Sequence, residues 1–185
     1  MVAMSAYKDA IAASMTMLGK DPRTRFLGYG LTKPDSAGLA AGAAGTMVGV
    51  PMAQRIETPV AENLMAGLAI GLALKGYKPI VFYERFDFVI NALDAIVNHA
   101  DKIGEMSRGQ FKPAIIFRVV VGNRSKPLFT GITHCQNHAE AIRHLVSFPV
   151  IELTSADMIE PAYARAKSDL ESGVSTMLVE LKDLW

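Results

Sequence analysis

The chain has 185 residues, half of them apolar, and a formal net charge of +1. This length suits one domain, and the near-neutral charge gives no electrostatic reason to expect binding to nucleic acid or to an anionic membrane. Cys135 is the only cysteine, so no disulfide can form within the chain, and a reducing compartment is favoured. The longest apolar stretch, residues 64–74, is well short of the ~20 residues that span a bilayer. With no signal-peptide pattern, we expect a soluble cytoplasmic protein.

Strand and helix patterns alternate along the chain. We predict helices over 6–18, 61–75, 87–106, 138–147 and from Ser155 or Asp157 to 170, and strands over 25–29, 55–59, 79–84, 113–121, 150–153 and 175–181. The run 113–121 is continuously apolar and rich in β-branched residues, which is typical of a central parallel strand. The alternation predicts an α/β fold with a doubly wound, mostly parallel sheet and helices on both faces.

Residues 30–53 are rich in glycine and alanine and show no strong period. We interpret them as a loop that contains at most one short helix. Long irregular stretches in compact domains tend to be functional or mobile.

Familiar motifs are mostly missing. The chain has no GxxxxGK[ST], HExxH or CxxC, and the glycines after the first predicted strand are wrongly spaced for a dinucleotide fingerprint. A generic nucleotide-binding domain is therefore a weak alternative. His134, Cys135 and His138 suggest a zinc site, but they lack an obvious fourth ligand. Cys135 could also be a thiol nucleophile, although an ordinary loop cysteine is the more common case.

Polar residues follow three of the predicted strands, at the edge where open parallel sheets bind ligands. They are Glu62, Glu84, Arg85, Asp87, His134 and Gln136. Each also has an ordinary explanation when taken alone. Glu62 in a first helical turn stabilises the helix dipole by ~0.3–1 kcal/mol, Phe86 and Phe88 fill cores, and loop histidines such as His134 form hydrogen bonds.

Their order along the chain carries more information than any one of them. The segments ETPVAENLMAGLAIGLALKGYKPIVF, FDFVINALDAIVNHADKIGEMSRGQ, THCQNHAEAIRHL and VELKDLW resemble the pyrimidine-binding domain of the beta subunit of 2-oxo-acid dehydrogenases, and more distantly that of transketolases. The resemblance covers residues 4–185. It implies a thiamine-diphosphate-dependent enzyme and the thiamine-diphosphate-binding fold of the pyrimidine type.

The resemblance gives Glu62 the role of the activating carboxylate. In this family that residue hydrogen-bonds the aminopyrimidine ring of thiamine diphosphate and favours the imino form of the ring, which removes the proton from the thiazolium carbon. This is general acid–base catalysis relayed through the cofactor. It requires a largely desolvated carboxyl group, whose pKa rises on burial.

Other roles follow from the same resemblance. Phe88 matches the aromatic residue against the pyrimidine face, and Glu84 a pocket-lining position where family members often carry an apolar residue. His134 matches the active-site histidine, which stabilises charge on substrate or intermediate. Asn91 is a further candidate for cofactor binding and Gln136 for substrate binding.

The chain lacks the GDG motif and downstream asparagine with which this family binds the diphosphate and Mg²⁺. We therefore expect residues 1–185 to form a single pyrimidine-binding domain, without the diphosphate-binding or carboxyl-terminal domain. A partner subunit with the GDG…N motif would hold the diphosphate and the metal, most simply in a heterotetramer. The assembly would act on a 2-oxo acid or a ketose by decarboxylation, carboligation or ketol transfer. The alternative is a non-catalytic, structural or regulatory paralogue, which Glu84 and the divergent loop 123–132 favour.

Overall fold

A computed structural model of the chain describes residues 5–32, 43–124 and 131–185. Its strands are β1 (Thr24–Gly28), β2 (Arg55–Glu57), β3 (Lys78–Tyr83), β4 (Ile116–Val121), β5 (Val150–Leu153) and β6 (Thr176–Leu181). They form one sheet in the order β2-β1-β3-β4-β6-β5, and all described pairings are parallel. The predicted α/β architecture is confirmed.

Helices cover both faces of the sheet. They are α1 (Ala6–Gly19), α2 (Glu62–Leu74), α3 (Ile103–Met106), α4 (Ala139–Leu145) and α5 (Ile159–Glu171). α1 and α5 pack on one face, where Ile11, Met15 and Tyr163 are fully buried. α2, α4 and the segment between β3 and β4 cover the other face. No helix in the described ranges is long and apolar enough to cross a membrane.

The segment between β3 and β4 differs from the single helix predicted over 87–106. It consists of a 3₁₀ stretch (Phe86–Ala92), a π-helical stretch (Asp94–Ala100) and α3. The apolar spacing correctly identifies Val89 and Ile96 as buried, because burial depends on which side faces the sheet. It does not fix the number of residues per turn, which tertiary contacts decide here. π-turns are frequent near functional sites.

Several other boundaries also differ: the strands predicted over 55–59 and 113–121 are the shorter β2 and β4, and the helix predicted over 138–147 is the shorter α4. α5 begins at Ile159 after a 3₁₀ turn (Ala156–Met158), and no side chain caps it. Ser155 instead hydrogen-bonds the Asp157 carboxylate, which lowers the pKa of Asp157, so neither side chain serves as the predicted cap. In the predicted loop 30–53, the described part holds two 3₁₀ turns, Ala44–Thr46 and Met52–Gln54. Residues 33–42 of that loop lie outside the described ranges.

Lys78, at the start of β3, pairs with acidic side chains from the turn between α1 and β1 and from α5. Its Nζ lies 2.8 Å from Asp21 Oδ2 and also contacts the Glu171 carboxylate. Hydrogen bonds from Arg23 and then from Lys78 hold the pKa of Asp21 well below its usual value. A group with a lowered folded-state pKa stabilises the fold above its unfolded pKa of about 3.9, and the contribution is lost as pH falls below that value.

We therefore expect Asp21→Asn to lower the free energy of unfolding at pH 7 by about 1 kcal/mol or less, the usual range for partly exposed pairs. The difference from wild type should shrink as the pH falls below about 4. Urea unfolding of both proteins at pH 7, 5 and 3 measures it. A difference that stayed constant across this range would show that the carboxylate charge is not what stabilises the contact.

Candidate functional site

A cavity of about 260 Å³ lies at the carboxyl edge of the sheet, between the ends of β1 and β3. β2 and β3 lie on opposite sides of β1, so the connections after β1 and β2 run in opposite directions. Open α/β sheets bind ligands at such a switch point. The cavity is lined by Tyr29, Val60, Glu62, Met65, Phe82, Tyr83, Glu84, Arg85, Phe88 and His134. Four residues named from the sequence as site residues thus meet here: Glu62, Glu84, Phe88 and His134.

Glu62 is the first residue of α2, and the cap residue before it, Ala61, provides no side-chain hydrogen bond. A carboxylate at this position is favoured by the unpaired N–H groups of the first turn. The Tyr83 hydroxyl donates to the Glu62 backbone oxygen at 3.2 Å and fixes the start of the helix. Burial, and then the Glu62 charge, raises the pKa of Tyr83, so the phenol is neutral.

The Glu62 carboxylate is half-buried and forms no hydrogen bond within the described ranges of the chain. It is therefore free to bind a ligand that offers a donor or a proton. This chain alone therefore provides only part of the largely desolvated environment that was expected from the sequence.

Phe88 and His134 form a second wall of the cavity. Their rings meet edge to face, with centroids 4.9 Å apart and planes at 88°. His134 ends a 3₁₀ turn (Gly131–His134), and its backbone passes very close to the end of β4. A Cβ at Gly122 would lie 1.9 Å from the His134 backbone oxygen, so only glycine at position 122 permits this approach.

Asp87 holds the loop that carries His134 in place through hydrogen bonds. Its Oδ1 accepts hydrogen bonds from the Gln136 backbone N–H at 3.2 Å and from the Gln136 side-chain amide at 2.8 Å. Asp87 is 7% exposed. Gln136 itself is exposed and does not line the cavity, and Asn91 is also exposed and outside the cavity. Their roles in substrate and cofactor binding stay predictions, since a contact would require the ligand or a partner to reach them.

We expect Asp87→Ala to release the loop around His134. Hydrogen–deuterium exchange of the peptide covering 131–137 should become faster, and the free energy of unfolding should fall by about 1.5–3 kcal/mol, the range for hydrogen bonds to a charged group. Asp94→Ala is the matched control, because Asp94 is exposed and, among the described residues, pairs only with Asn98 and His99 of its own segment. Equal exchange in the loop for wild type and Asp87→Ala would show that Asp87 does not hold it.

Tyr29, Tyr83 and Arg85 line the cavity but were not identified as site residues from the sequence. Arg85 was among the polar residues that the rule for strand carboxyl ends indicated, but it received no role; Tyr83, within the predicted strand 79–84, could have been indicated by the same rule. Tyr29 follows β1, and its place depends on β1 pairing with β3, which the sequence alone does not reveal.

The zinc and thiol alternatives gain no support. Among the described residues, no group of three or more His, Cys, Asp or Glu side chains could hold a metal ion. His138 packs edge-on against Phe86, whereas His134 packs against Phe88. The Cys135 thiol lies 3.6 Å from the Ile132 backbone oxygen.

Comparison with known sequences gives relatives for about half of the chain. A Rickettsia conorii protein named pyruvate dehydrogenase E1 component subunit beta is 39% identical over 102 residues, which are 55% of this chain and 30% of that protein. The mitochondrial subunit of the same name from Saccharomyces cerevisiae is 40% identical over 82 residues, 44% of this chain and 22% of that protein. The chain thus spans less than a third of these relatives' length. No protein-family model matches.

Solved structures share the fold at low sequence identity. A split-gene transketolase, described as an inactive beta4 tetramer, has a TM-score of 0.69 at 16% identity over 95% of this chain and 51% of that one. The thiamine diphosphate-dependent 4-hydroxybenzoylformate decarboxylase of Rhodococcus jostii has a TM-score of 0.63 at 15% identity over 94% of this chain and 30% of that one.

The parallel sheet and its strand order are those of the fold that these solved structures share. Over about half of its length, the chain is also similar in sequence to pyruvate dehydrogenase E1 beta subunits. The resemblance inferred from the sequence is confirmed.

Proposed function

We propose that this chain is the pyrimidine-binding subunit of a heteromeric thiamine-diphosphate enzyme. The enzyme acts on a 2-oxo acid or a ketose by decarboxylation, carboligation or ketol transfer. The observation that carries the proposal is the Glu62 carboxylate, which has no hydrogen bond within the described ranges and lines the switch-point cavity beside Phe88 and His134.

The residues of the cavity fit one half of thiamine diphosphate. A flat heteroaromatic ring with a polar edge matches an apolar wall of Val60, Met65 and Phe88 next to one free carboxylate, that of Glu62. When bound, the cofactor supplies the electron sink for carbanion chemistry. A Glu62 carboxylate oxygen would hold the pyrimidine ring nitrogen and exchange a proton with it. His134 would donate a hydrogen bond to negative charge that develops on the substrate.

The exposed side of α2 has features of a surface that packs against a partner subunit. Leu64 is 53% exposed and Leu68 is 38% exposed, one helical turn apart on the same side. Gly67 and Gly71 lie on this side too, and a Cβ at either would meet nothing within 4 Å. Glycine in a helix interior costs about 1 kcal/mol relative to alanine, and this chain's own packing does not require it. Both glycines are explained if a second protein surface packs closely against the α2 backbone.

That partner, in our proposal, is a diphosphate-binding subunit with the GDG…N motif, which holds the diphosphate and Mg²⁺. A cofactor shared between the two chains would complete the desolvation of Glu62. The assembly is a cytoplasmic heterotetramer, the simplest closed arrangement of two copies of each chain.

Reconstitution tests the proposal. The chain is mixed with a GDG-bearing partner, thiamine diphosphate and Mg²⁺, and CO₂ release from 2-oxo acids and ketol transfer are measured. We expect activity only when all four components are present. A complex that assembles and binds the cofactor but turns over none of the donors would instead favour the non-catalytic paralogue. Residues 125–130 of the divergent loop that motivates that alternative lie outside the described ranges.

A further inference from the structure

Arg85 is a buried cation at the candidate site with much of its hydrogen-bonding capacity unused. It is 6% exposed and lines the same cavity as Glu62 and His134. Its Nη1 donates to the Glu84 backbone oxygen at 2.7 Å and lies 3.4 Å from Glu84 Oε1. Nε and Nη2 make no hydrogen bond with any residue in the described ranges.

The free edge of Arg85 is the edge that binds carboxylates. Arg118 of this chain shows the geometry: its Nε and Nη2 donate to the two carboxylate oxygens of Glu180 at 2.6 and 3.1 Å. The planar guanidinium favours such paired bonds to a carboxylate. In Arg85 the corresponding Nε/Nη2 edge is unused, while the opposite side of the group is anchored by Glu84.

Arg85 is the one permanently charged cation among the described residues that line the cavity, which also include Glu62 and Glu84. Glu84 is paired with Arg85 through one nitrogen only, and Glu62, the other carboxylate of the cavity, is assigned to the cofactor. Burial, and then the positive charge of Arg85, lowers the pKa of the nearby Lys182 amine. Three of the five guanidinium N–H groups, those on Nε and Nη2, have no partner within the described ranges, and a bound carboxylate would supply one.

We propose that Arg85 is a specificity-determining residue, whose Nε/Nη2 edge binds a carboxylate of the substrate in the Glu62 cavity. This inference rests on the proposed function and narrows it: the substrate is a carboxylic acid, and a neutral ketose is excluded. Glu84 is a positioning residue that orients the guanidinium by holding Nη1. This gives a purpose to the carboxylate that stands where relatives often carry an apolar residue.

Matched probes test the assignment. Pyruvate and 2-oxoglutarate are each compared with their methyl esters, which keep the shape and remove the charge, and fructose 6-phosphate is added as a phosphate probe. Binding to the assembled complex is followed by saturation-transfer NMR, and kcat and KM are measured for the donors that turn over. The variants are Arg85→Gln, Arg85→Lys and, as a remote control, Arg143→Gln, whose arginine pairs with Glu152 and Glu140 at the β5 edge.

We expect Arg85→Gln to weaken binding of at least one acid by roughly ten- to a hundredfold, the range for a hydrogen bond to a charged group, and to leave its ester and cofactor affinity unchanged. Arg85→Lys should retain part of the preference for the acid over its ester, and Arg143→Gln should retain all of this preference. Equal loss for acid and ester would overturn the assignment. The assignment would also be overturned if Arg85 bound only the phosphate probe. It would equally be overturned if Arg85→Gln weakened subunit association but left the preference for acid over ester unchanged. Because acid binding is read without turnover, it remains decisive even if the complex proves inactive, a result that would count against the proposed function alone.

Discussion

Glu62→Gln should lower kcat of the reconstituted enzyme by about a hundredfold to ten-thousandfold, the range that general acid–base catalysis contributes. Glutamine keeps the size of the side chain and can still accept a hydrogen bond, but it cannot exchange a proton with the pyrimidine ring. The fold should be unaffected, because the Glu62 carboxylate forms no hydrogen bond within the described ranges and Tyr83 contacts only its backbone oxygen.

The matched control for this variant is Glu160→Gln. Glu160 also lies in the first turn of a helix, α5, and is exposed, so both substitutions remove a helix-dipole interaction of ~0.3–1 kcal/mol. Steady-state kinetics and urea unfolding are measured for both. If Glu62→Gln retains full activity, or if both variants lose activity in step with stability, then Glu62 only stabilises the helix and has no catalytic role.

The largest expected loss of stability comes from the buried ion pair between β4 and β6. Arg118 and Glu180 are 1% and 0% exposed. The Tyr163 hydroxyl donates to Glu180 Oε1 at 2.5 Å, and Arg118 Nη1 donates to Thr46 Oγ1 at 2.9 Å. We expect Glu180→Leu to lower the free energy of unfolding by about 3–5 kcal/mol, because it leaves the Arg118 charge buried without its partner.

A triple variant separates the charge from the packing. Arg118→Met, Glu180→Leu and Tyr163→Phe together remove both charges and the hydroxyl that depends on them, while Thr46 keeps its hydrogen bond to the Ala43 oxygen. Replacing a buried ion pair with apolar residues is often neutral or stabilising, so stability should recover most of the loss. Urea unfolding distinguishes the two causes. A triple variant no more stable than Glu180→Leu would mean that lost packing, and not the unpaired charge, causes the loss of stability.

The fold could be predicted from the sequence to the level of its layers. The continuous apolar run that becomes β4 indicated a parallel sheet buried on both faces, and the 3.6-residue spacing indicated the buried sides of its helices. The order of the strands could not be predicted, because it depends on pairings such as Phe26 with Arg55 and with Ile80, between segments far apart in sequence. The 3₁₀ and π turns after β3 have the same origin in tertiary contacts.

The site was predicted in part, through resemblance more than through individual residues. Glu62 alone was better explained as a helix-dipole residue, and its place beside Phe88 and His134 supports the other interpretation. Arg85 could not be assigned a role from the sequence, because its burial and the free Nε/Nη2 edge are properties of the folded chain. A largely desolvated Glu62 was expected, whereas its side chain is half-buried in this chain alone; in our proposal the ligand and the partner subunit complete the desolvation.

The central claim, that this chain binds the pyrimidine half of the cofactor through Glu62, is tested most directly by calorimetry with two ligands. Thiamine diphosphate with Mg²⁺ contains both halves, whereas Mg²⁺-pyrophosphate contains only the part that the partner would hold. We predict that Glu62→Ala in the assembled complex lowers the affinity for thiamine diphosphate and leaves the affinity for Mg²⁺-pyrophosphate unchanged. Unchanged affinity for thiamine diphosphate, or an equal loss for both ligands, would contradict the claim.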